Sequence, residues 1–151
     1  GPGDNYDLQT SHVLPALIRK FHEARSRGDK SVTLWGTGSP RREFLYSNDM
    51  AEACVRLLLC DDDKLATILP DDQAPLVNVG SGEDVTIREL AELAREVVGC
   101  SAAILWDHDK PDGTPRKLLD ISRLKALGWV QSIGLKQGIG LAYADFASRP
   151  R

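Results

Sequence analysis

The run from Trp35 to Cys54 constrains the fold of this chain most strongly, because several local signals follow one another within it. The ring of Trp35 precedes a Gly-Thr-Gly-Ser-Pro turn, and the doublet Arg41-Arg42 then enters an extended segment. The residues after that segment have the pattern of a capped amphipathic helix. A ring, a flexible turn and two guanidinium groups close together suit an anionic ligand that carries a flat base or a sugar. The run therefore predicts a binding surface.

Helical and extended patterns alternate along the chain. The first predicted helix has Ser11 as its candidate cap, carries apolar residues at three- and four-residue spacing, and ends at Gly28. Short apolar segments predict strands at Val32–Trp35, Glu43–Tyr46, Leu76–Val79 and Ala103–Trp106. Strands that alternate with helices predict an α/β fold, here a small sheet with packed helices. At 151 residues the chain fits one domain, over residues 1–151.

The middle of the chain predicts a helix followed by a loop. Ser47 or Asn48 can cap this helix, and its spacing places Met50, Cys54, Leu57 and Leu58 on one face. The segment Asp61–Ala74 is acidic and ends in turn residues, so we expect a solvated surface loop there.

Caps and periodicity predict three helices in the second half. Thr86-Ile-Arg-Glu89 is a capping box, and the helix that it opens is expected to end at Gly99. A short helix should end near Gly128, and a last helix is expected through Leu135, Ile139, Tyr143 and Phe146. Trp106 and Trp129 lie in apolar surroundings, which predicts that both belong to the core.

Composition excludes several classes of partner. The net charge is −3, and a protein that binds nucleic acid or an anionic membrane needs a concentrated positive field. Three cysteines without metal-ligand or scaffold spacing indicate reduced thiols, and we expect no metal site. No stretch reaches the roughly 18 apolar residues of a membrane span, and the first residues lack the pattern of a signal peptide. We therefore expect a cytoplasmic protein.

Three basic doublets are candidates for an anion site: Arg19-Lys20, Arg41-Arg42 and Arg116-Lys117. Successive strand side chains point to opposite faces, so only one of Arg41 and Arg42 can face a given pocket. One residue from each doublet would suffice to hold a diphosphate. Taken alone, any one doublet is better explained as solvated surface charge.

The sequence allows two interpretations of Trp35 and two of His12. Trp35 ends a strand just before two glycines, where its ring can stack on a base or sugar, but the pattern allows a core residue equally. His12 lies at the start of a helix, where the positive end of the helix dipole favours the neutral, proton-accepting imidazole. The alternative for His12 is an ordinary surface histidine.

Two motifs of reductases are absent from the sequence. None of its Gly-x-Gly segments extends to GxGxxG, the dinucleotide-binding fingerprint. No tyrosine has a lysine four residues later, so the Tyr-x-x-x-Lys pair of short-chain reductases is missing too. We therefore expect that this chain alone catalyses no reduction.

Several segments in order resemble a known family. They are Ser11-His-Val-Leu-Pro-Ala-Leu, the Trp-Gly-Thr-Gly-Ser-Pro-Arg-Arg-Glu-Phe-Leu run, Val77-Asn-Val-Gly-Ser-Gly, and Lys110-Pro-Asp-Gly-Thr-Pro-Arg-Lys. Over nearly the whole chain the sequence resembles the C-terminal half of the GDP-L-fucose synthases, which are extended short-chain dehydrogenase/reductases. These enzymes epimerise GDP-4-keto-6-deoxy-mannose at carbons 3 and 5 and then reduce carbon 4 with NADPH.

The resemblance implies roles for six residues. His12 matches the histidine that transfers a proton during epimerisation and also lies near the nicotinamide cofactor. The residues that match those holding the GDP-sugar are Lys20, Trp35, Arg42, Asp112 and Lys117. Two departures affect this set. Lys20 stands where the family can carry arginine, and Ser47-Asn48 replaces a more common His/Val-Asp pair.

The resemblance also implies an organisation. We expect residues 1–151 to form the sugar-nucleotide-binding segment, without the main Rossmann domain that holds NADP in the full-length enzymes. On this interpretation the chain alone binds no cofactor and is inactive, its partners being a GDP-sugar and a reductase half. Apolar surface left open by that half predicts a homo-oligomer. The alternatives are a non-enzymatic sugar-nucleotide-binding or interaction module, and the same half of another nucleotide-sugar epimerase or reductase.

Overall fold

The computed structural model describes residues 1–69, 72 and 74–149. Its elements are α1 (Val13–Arg27), β1 (Ser31–Trp35), β2 (Arg41–Glu43), α2 (Ser47–Leu58), α3 (Asp62–Ile68), β3 (Asp84–Thr86), α4 (Ile87–Val98), β4 (Ala103–Asp107), β5 (Arg116–Lys117), α5 (Ser122–Ala126) and α6 (Leu135–Ser148). The predicted α/β fold is confirmed, with two small sheets in place of one.

The first sheet pairs β1 with β4 in parallel, so that Trp35 lies opposite Asp107 at its end. In the second sheet, the central strand β2 pairs antiparallel with β3 and parallel with β5. Arg41 lies opposite Arg116 and Arg42 opposite Lys117 in this register. Polar strand ends from both sheets thus come together on one side of the molecule.

The main core lies where α1, β1, α4 and α6 meet. Its most deeply buried members include Phe21, Leu90, Ala94 and Ile139, each fully shielded from solvent. The periodicity that predicted α1, α4 and α6 therefore marks the faces that pack together. Gly28 and Gly99 end α1 and α4 in the left-handed conformation, and Thr86 and Glu89 form the capping box at the start of α4.

Both tryptophans expected in the core pack against apolar clusters. Trp129 is 2% exposed and forms a second, smaller cluster with Ala53 and Leu124. Trp106 is partly buried against the main core.

Two predicted caps are wrong by one residue. Helix α1 has His12 as its N-cap, so Ser11 precedes the cap position, and its buried Oγ has no hydrogen-bond partner within the described residues. Helix α2 has Tyr46 at the N-cap, which places Ser47 inside the first turn. Neither helix has a side-chain cap hydrogen bond.

The segment between α2 and β3 also differs from expectation. Asp61–Ala74 was predicted as a loop, but Asp62–Ile68 forms α3, whose first-turn carboxylates complement the helix dipole and whose Ile68 is buried. Residues 70, 71 and 73 of that predicted loop lie outside the described residues. Leu76–Val79 was predicted as a strand, but it pairs with no described strand. An apolar run does not form a ladder without a partner strand.

The strand β2 also lies at a different position in the sequence from the one predicted. The strand occupies Arg41–Glu43 instead of Glu43–Tyr46, because its register with β3 and β5 is set at the arginine doublet.

Helix α2 buries Asp49 and Ala53, while the predicted apolar face is largely open, with Met50 46% and Leu58 83% exposed. Among the described residues, no helix is long and apolar enough to cross a bilayer.

Candidate functional site

One cavity collects most of the residues that the sequence marks as candidates. It has a volume of about 570 Å³ and is called the main cavity below. Its walls come from the start of α1, the end of β1, the strand β2 and the loop of residues 108–115. The candidates that line it are His12, Trp35, Arg42, Asp112 and Lys117.

The register of the three-stranded sheet decides which basic residues face this cavity. Arg42 and Lys117 are neighbours on parallel strands, so their side chains lie on the same face, and both line the main cavity. Arg42 Nη1 donates to the backbone oxygen of Arg41 at 2.7 Å. Within the described residues, neither Arg42 nor Lys117 forms an ion pair. Both charges are therefore available to an anion.

Arg41 and Arg116 lie on the other face of the sheet and share one carboxylate. Arg41 Nε donates to Asp84 Oδ1 at 2.8 Å, and its Nη2 donates to the Asp84 backbone oxygen at 2.9 Å. Arg116 Nε donates to Asp84 Oδ2 at 2.5 Å. The hydrogen bonds from Arg116 and Arg41 lower the pKa of Asp84 below its ordinary value of 3.8. Arg41 Nη1 also lies 3.9 Å from Glu89 Oε2, so both arginines of this face have acidic partners within the chain.

Trp35 is presented to solvent and does not belong to the core. Its side chain is 68% exposed at the end of β1. Lys110 Nζ lies 5.6 Å from the centroid of its ring, within cation–π distance. The open ring can therefore stack on a flat ligand group.

The turn after Trp35 requires glycine at two positions. Gly36 and Gly38 have φ angles of +76° and +75°, in the left-handed region. A Cβ at Gly38 would also lie 2.5 Å from the ring of Trp106. The turn can therefore pack directly against the indole below it.

Asp112 is hydrogen-bonded to that turn through both of its carboxylate oxygens. Thr37 N donates to Oδ1 at 2.9 Å, and Thr37 Oγ1 donates to Oδ2 at 2.6 Å. These bonds lower the pKa of the Asp112 carboxyl below 3.8. Asp112 is thus ionised at neutral pH, and it connects the 108–115 loop to the glycine turn.

Glu43 was not recognised from the sequence, although it also lines the main cavity. Its Oε1 accepts from Gly82 N at 2.6 Å, and its Oε2 accepts from Leu119 N at 3.1 Å. It therefore joins two distant loops beneath the cavity. The sequence shows Glu43 only as an acidic residue that follows two arginines in a strand. Its hydrogen-bond partners are distant in the sequence, so this role could not be predicted.

His12 lies between two cavities. Besides the main cavity, it lines a small, mostly apolar one of about 180 Å³ together with Tyr46, Ile133 and Gly138. The imidazole is exposed at the N-cap position of α1. This position lets it exchange a proton with a group bound in either space.

Lys20 is the one candidate that the structure places outside the main cavity. It lines an adjoining cleft of about 580 Å³, called the Lys20 cleft, which shares Trp35 with the main cavity. Burial lowers the pKa of its ammonium group below 10.5, and Nζ donates to Thr33 O at 3.4 Å. Its neighbour Arg19 instead pairs with Glu23 at 2.7 Å.

The glycine turns do not have the form that holds a dinucleotide. In that form a strand leads through glycines into a helix whose N-terminus binds the pyrophosphate. Here the turn after Trp35 leads into β2, and the N–H groups of Ile87 and Arg88 at the start of α4 donate to Pro40 O and Gly38 O at 2.9 Å. The described residues therefore do not form this dinucleotide-binding turn. They also contain no group of three side chains placed to hold a metal ion.

Comparison with known proteins gives matches over the whole length of the chain. Residues 1–68 match the NAD dependent epimerase/dehydratase family. GDP-L-fucose synthase 1 of Arabidopsis thaliana is 52% identical over 143 residues, which cover 95% of this chain and 41% of that protein. The chain spans about two fifths of the length of the curated relatives that it matches first.

Two solved structures have closely similar backbones. A GDP-6-OMe-4-keto-L-xylo-heptose reductase from C. jejuni has a TM-score of 0.87 at 31% identity, covering 99% of this chain and 51% of that chain. A GDP-mannoheptose C4 reductase from Campylobacter jejuni with NADP bound has a TM-score of 0.79 at 31% identity, covering 96% of this chain and 49% of that chain. The resemblance found in the sequence is confirmed: over nearly its whole length the chain is homologous to a segment of the GDP-L-fucose synthases.

Proposed function

We propose that this chain is the GDP-sugar-binding segment of a GDP-L-fucose synthase. The observation that carries the proposal is the convergence of His12, Trp35, Arg42 and Lys117 on one cavity of about 570 Å³. A sugar nucleotide needs a stacking surface, a positive site for its diphosphate and a group that moves a proton at the sugar. These four side chains supply all three within one space.

The diphosphate is assigned to Arg42 and Lys117. Their neighbouring register positions present a planar fork and a compact ammonium on one sheet face, which suits adjacent phosphate groups. Trp35 offers its exposed ring to the base or sugar. Lys20 adds a third positive group in the adjoining cleft, which shares Trp35 with the main cavity.

His12 is assigned the proton transfer of the epimerisation. It is exposed at the edge of the main cavity, where the sugar of a nucleotide held by Arg42 and Lys117 can reach it. The family reaction also uses NADPH for the reduction at carbon 4. Because the described glycine turns lack the dinucleotide-binding form, no reduction step is assigned to the described residues, and we expect this chain alone neither to bind nor to oxidise NADPH.

A second candidate is the corresponding segment of another GDP-sugar reductase. The observation in its favour is the TM-score of 0.87 with a reductase whose name specifies a GDP-heptose. Both candidates share the nucleotide and differ in the sugar, so the first test concerns the nucleotide.

The experiment is calorimetric titration of the chain with GDP, UDP and NADPH. We expect heat of binding with GDP, weaker or no binding with UDP, and none with NADPH. Equal affinity for GDP and UDP would contradict the proposal of a GDP-specific segment. Competition between GDP-4-keto-6-deoxy-mannose and GDP-heptoses for the same site then separates the two candidates. NADPH oxidation by the purified chain that is lost in His12→Gln would contradict the assignment of reduction to another segment.

Self-association remains a prediction. Helix α2 exposes Met50 and Leu58, and such side chains favour association when they form a continuous patch. We expect light scattering to give at least a dimer mass at tens of micromolar. A monomer mass would contradict it.

A further inference from the structure

The turn of residues 36–38 is fixed from the side of the core. Arg88, in the first turn of α4, donates from Nη2 to Thr37 O at 2.6 Å and from its backbone N to Gly38 O at 2.9 Å. Its guanidinium lies 4.6 Å from the centroid of the Trp106 ring. Because α4 belongs to the main core, these contacts hold the backbone of the turn in one place.

The 108–115 loop lies on the outside of this turn. Residues 108–115 are all exposed, and β5, which follows, is a strand of two residues. Such a segment has little packing of its own to hold it. Its attachment to the turn is the pair of hydrogen bonds between Thr37 and the Asp112 carboxylate.

This loop carries groups that shape the main cavity. Lys110 lies over the ring of Trp35. Gly113 passes so close to Arg42 that a Cβ there would lie 3.1 Å from Nη2. The position of the loop therefore sets the width of the cavity between the stacking ring and the guanidinium.

Thr37 is well placed to hold the loop. Its hydroxyl donates to Asp112 Oδ2 and accepts from the backbone N of Ser39 at 3.1 Å, which fixes its orientation. Each Asp112 carboxylate oxygen accepts one hydrogen bond from Thr37.

From these contacts we propose that Thr37 is a positioning residue of the site. Its hydrogen bonds to Asp112 hold the 108–115 loop over the main cavity. Asp112 therefore supports the loop and is not a direct ligand of the nucleotide. The inference rests on the proposed function, because it assumes that GDP binds in this cavity. It assigns to Thr37 a role that the sequence did not indicate, and it changes the role expected for Asp112 from contact to support.

The test compares Thr37→Val with Thr37→Ser. Valine keeps the shape and removes the hydroxyl, while serine retains it. Thr67→Val is the matched control, because Thr67 Oγ1 donates to Lys64 O in α3, away from the cavity. Hydrogen exchange over residues 108–115 is measured without nucleotide, and GDP affinity is measured by calorimetry.

We expect faster loop exchange and roughly two- to tenfold weaker GDP binding in Thr37→Val, since one hydrogen bond is lost. Thr37→Ser should restore both, and Thr67→Val should change neither. Unchanged loop exchange in Thr37→Val overturns the proposal, whatever the affinity. If the wild-type chain does not bind GDP, the proposed function fails, and loop exchange alone then decides whether Thr37 holds the loop.

A double-mutant cycle with Asp112→Ala decides how Asp112 acts. If Asp112 acts through Thr37, its removal weakens GDP binding in the wild type and adds less in the Thr37→Val background, where only the hydrogen bond from the residue 37 backbone N is left to lose. If it contacts the nucleotide directly, the two losses add, and that part of the proposal is overturned. Arg42→Ala is a useful reference, because a direct contact should weaken affinity without accelerating exchange of the loop.

Discussion

The two faces of the three-stranded sheet use the same residue types for opposite purposes. On one face, Arg41 and Arg116 share the carboxylate of Asp84, and Arg41 also lies 3.9 Å from the carboxylate of Glu89, so their charges are balanced inside the chain. On the other face, Arg42 and Lys117 form no ion pair within the described residues and line the main cavity. The first face stabilises the sheet, and the second leaves positive charge for a ligand.

The difference arises from strand alternation and one acidic residue. Each doublet enters the sheet with one side chain on each face, whatever the charges are. Asp84 lies on β3 beside only one of these faces. A protein of net charge −3 can thus keep a local anion site, because Asp84 pairs with the arginines of the other face, while the cavity carboxylates Glu43 and Asp112 accept hydrogen bonds from backbone N–H groups and Thr37.

The largest expected effect comes from removing both charges of one face. Arg42→Ala with Lys117→Ala should weaken GDP binding about a hundredfold or more, because each charged hydrogen bond contributes roughly 1.5–3 kcal/mol. Arg41→Ala with Arg116→Ala should instead lower the stability of the fold and leave the affinity of the folded chain nearly unchanged. Calorimetry and urea unfolding on both pairs check this. Equal loss of affinity in the two double variants would contradict the division between the faces.

A single change within one doublet should give a smaller but sharper result. Arg42→Ala is expected to weaken GDP binding about tenfold or more, since one guanidinium is lost from the cavity face. Arg41→Ala, one residue away, serves as its matched control and should weaken binding much less. Affinity that falls equally in both variants, or that is unchanged in Arg42→Ala, would remove Arg42 from the site.

The sequence predicts the elements whose signals are local. Helices α1, α4 and α6 follow from apolar spacing, and the capping box with Gly99 fixes both ends of α4. The strands β1 and β4 follow from short apolar runs between turns. Each of these segments buries the face that its pattern marks.

Elements that depend on distant partners are not predicted in this way. The strands β3 and β5 are short and polar, and they exist because each pairs with β2. Leu76–Val79 has the opposite property, an apolar run without a partner among the described strands. Strand pairing is a long-range property, so composition alone misjudges both cases.

The same division holds for the candidate site. Alternation showed that only one of Arg41 and Arg42 can face a given pocket, and residue type left Trp35 open as either a stacking ring or a core residue. The family resemblance then selected Arg42, Trp35 and Lys117. Thr37 could not be identified, since its partner Asp112 is 75 residues away in the sequence. Residues that hold a site together through such contacts become visible only when the chain is folded.

The pH dependence of stability in Asp84→Asn tests whether Asp84 balances the charges of Arg41 and Arg116. The two arginines lower the pKa of Asp84 in the folded chain, so its ionised form is favoured by folding. Wild type should therefore be more stable than Asp84→Asn at neutral pH. This advantage is fully present above about 3.8, the ordinary value, and is lost as the pH falls through the lower pKa of the folded state. Urea unfolding of both proteins at pH 7 and in acid measures it.

The control for this comparison is Asp109→Asn. Asp109 is exposed, and its carboxylate makes no hydrogen bond or ion pair in the part of the chain that the structure describes. We expect the free energy of unfolding of Asp109→Asn to match that of the wild type at both pH values. If Asp84→Asn behaves in the same way, Asp84 does not balance the two arginines in solution.

The smallest expected effect concerns Lys20, the residue of the Arg19-Lys20 doublet that forms no ion pair within the described residues. Its cleft adjoins the main cavity, so Lys20→Ala should weaken GDP binding only a few-fold, while Arg19→Ala, which removes the partner of Glu23, should leave it unchanged. Burial lowers the pKa of the Lys20 ammonium below 10.5, so its contribution to anion binding should be lost on the alkaline side before that of an exposed lysine. Lys20→Arg keeps its charge throughout this range, so its affinity should fall less as the pH rises. Parallel pH profiles of GDP affinity for wild type and Lys20→Arg would show that the Lys20 ammonium does not take part in holding the nucleotide.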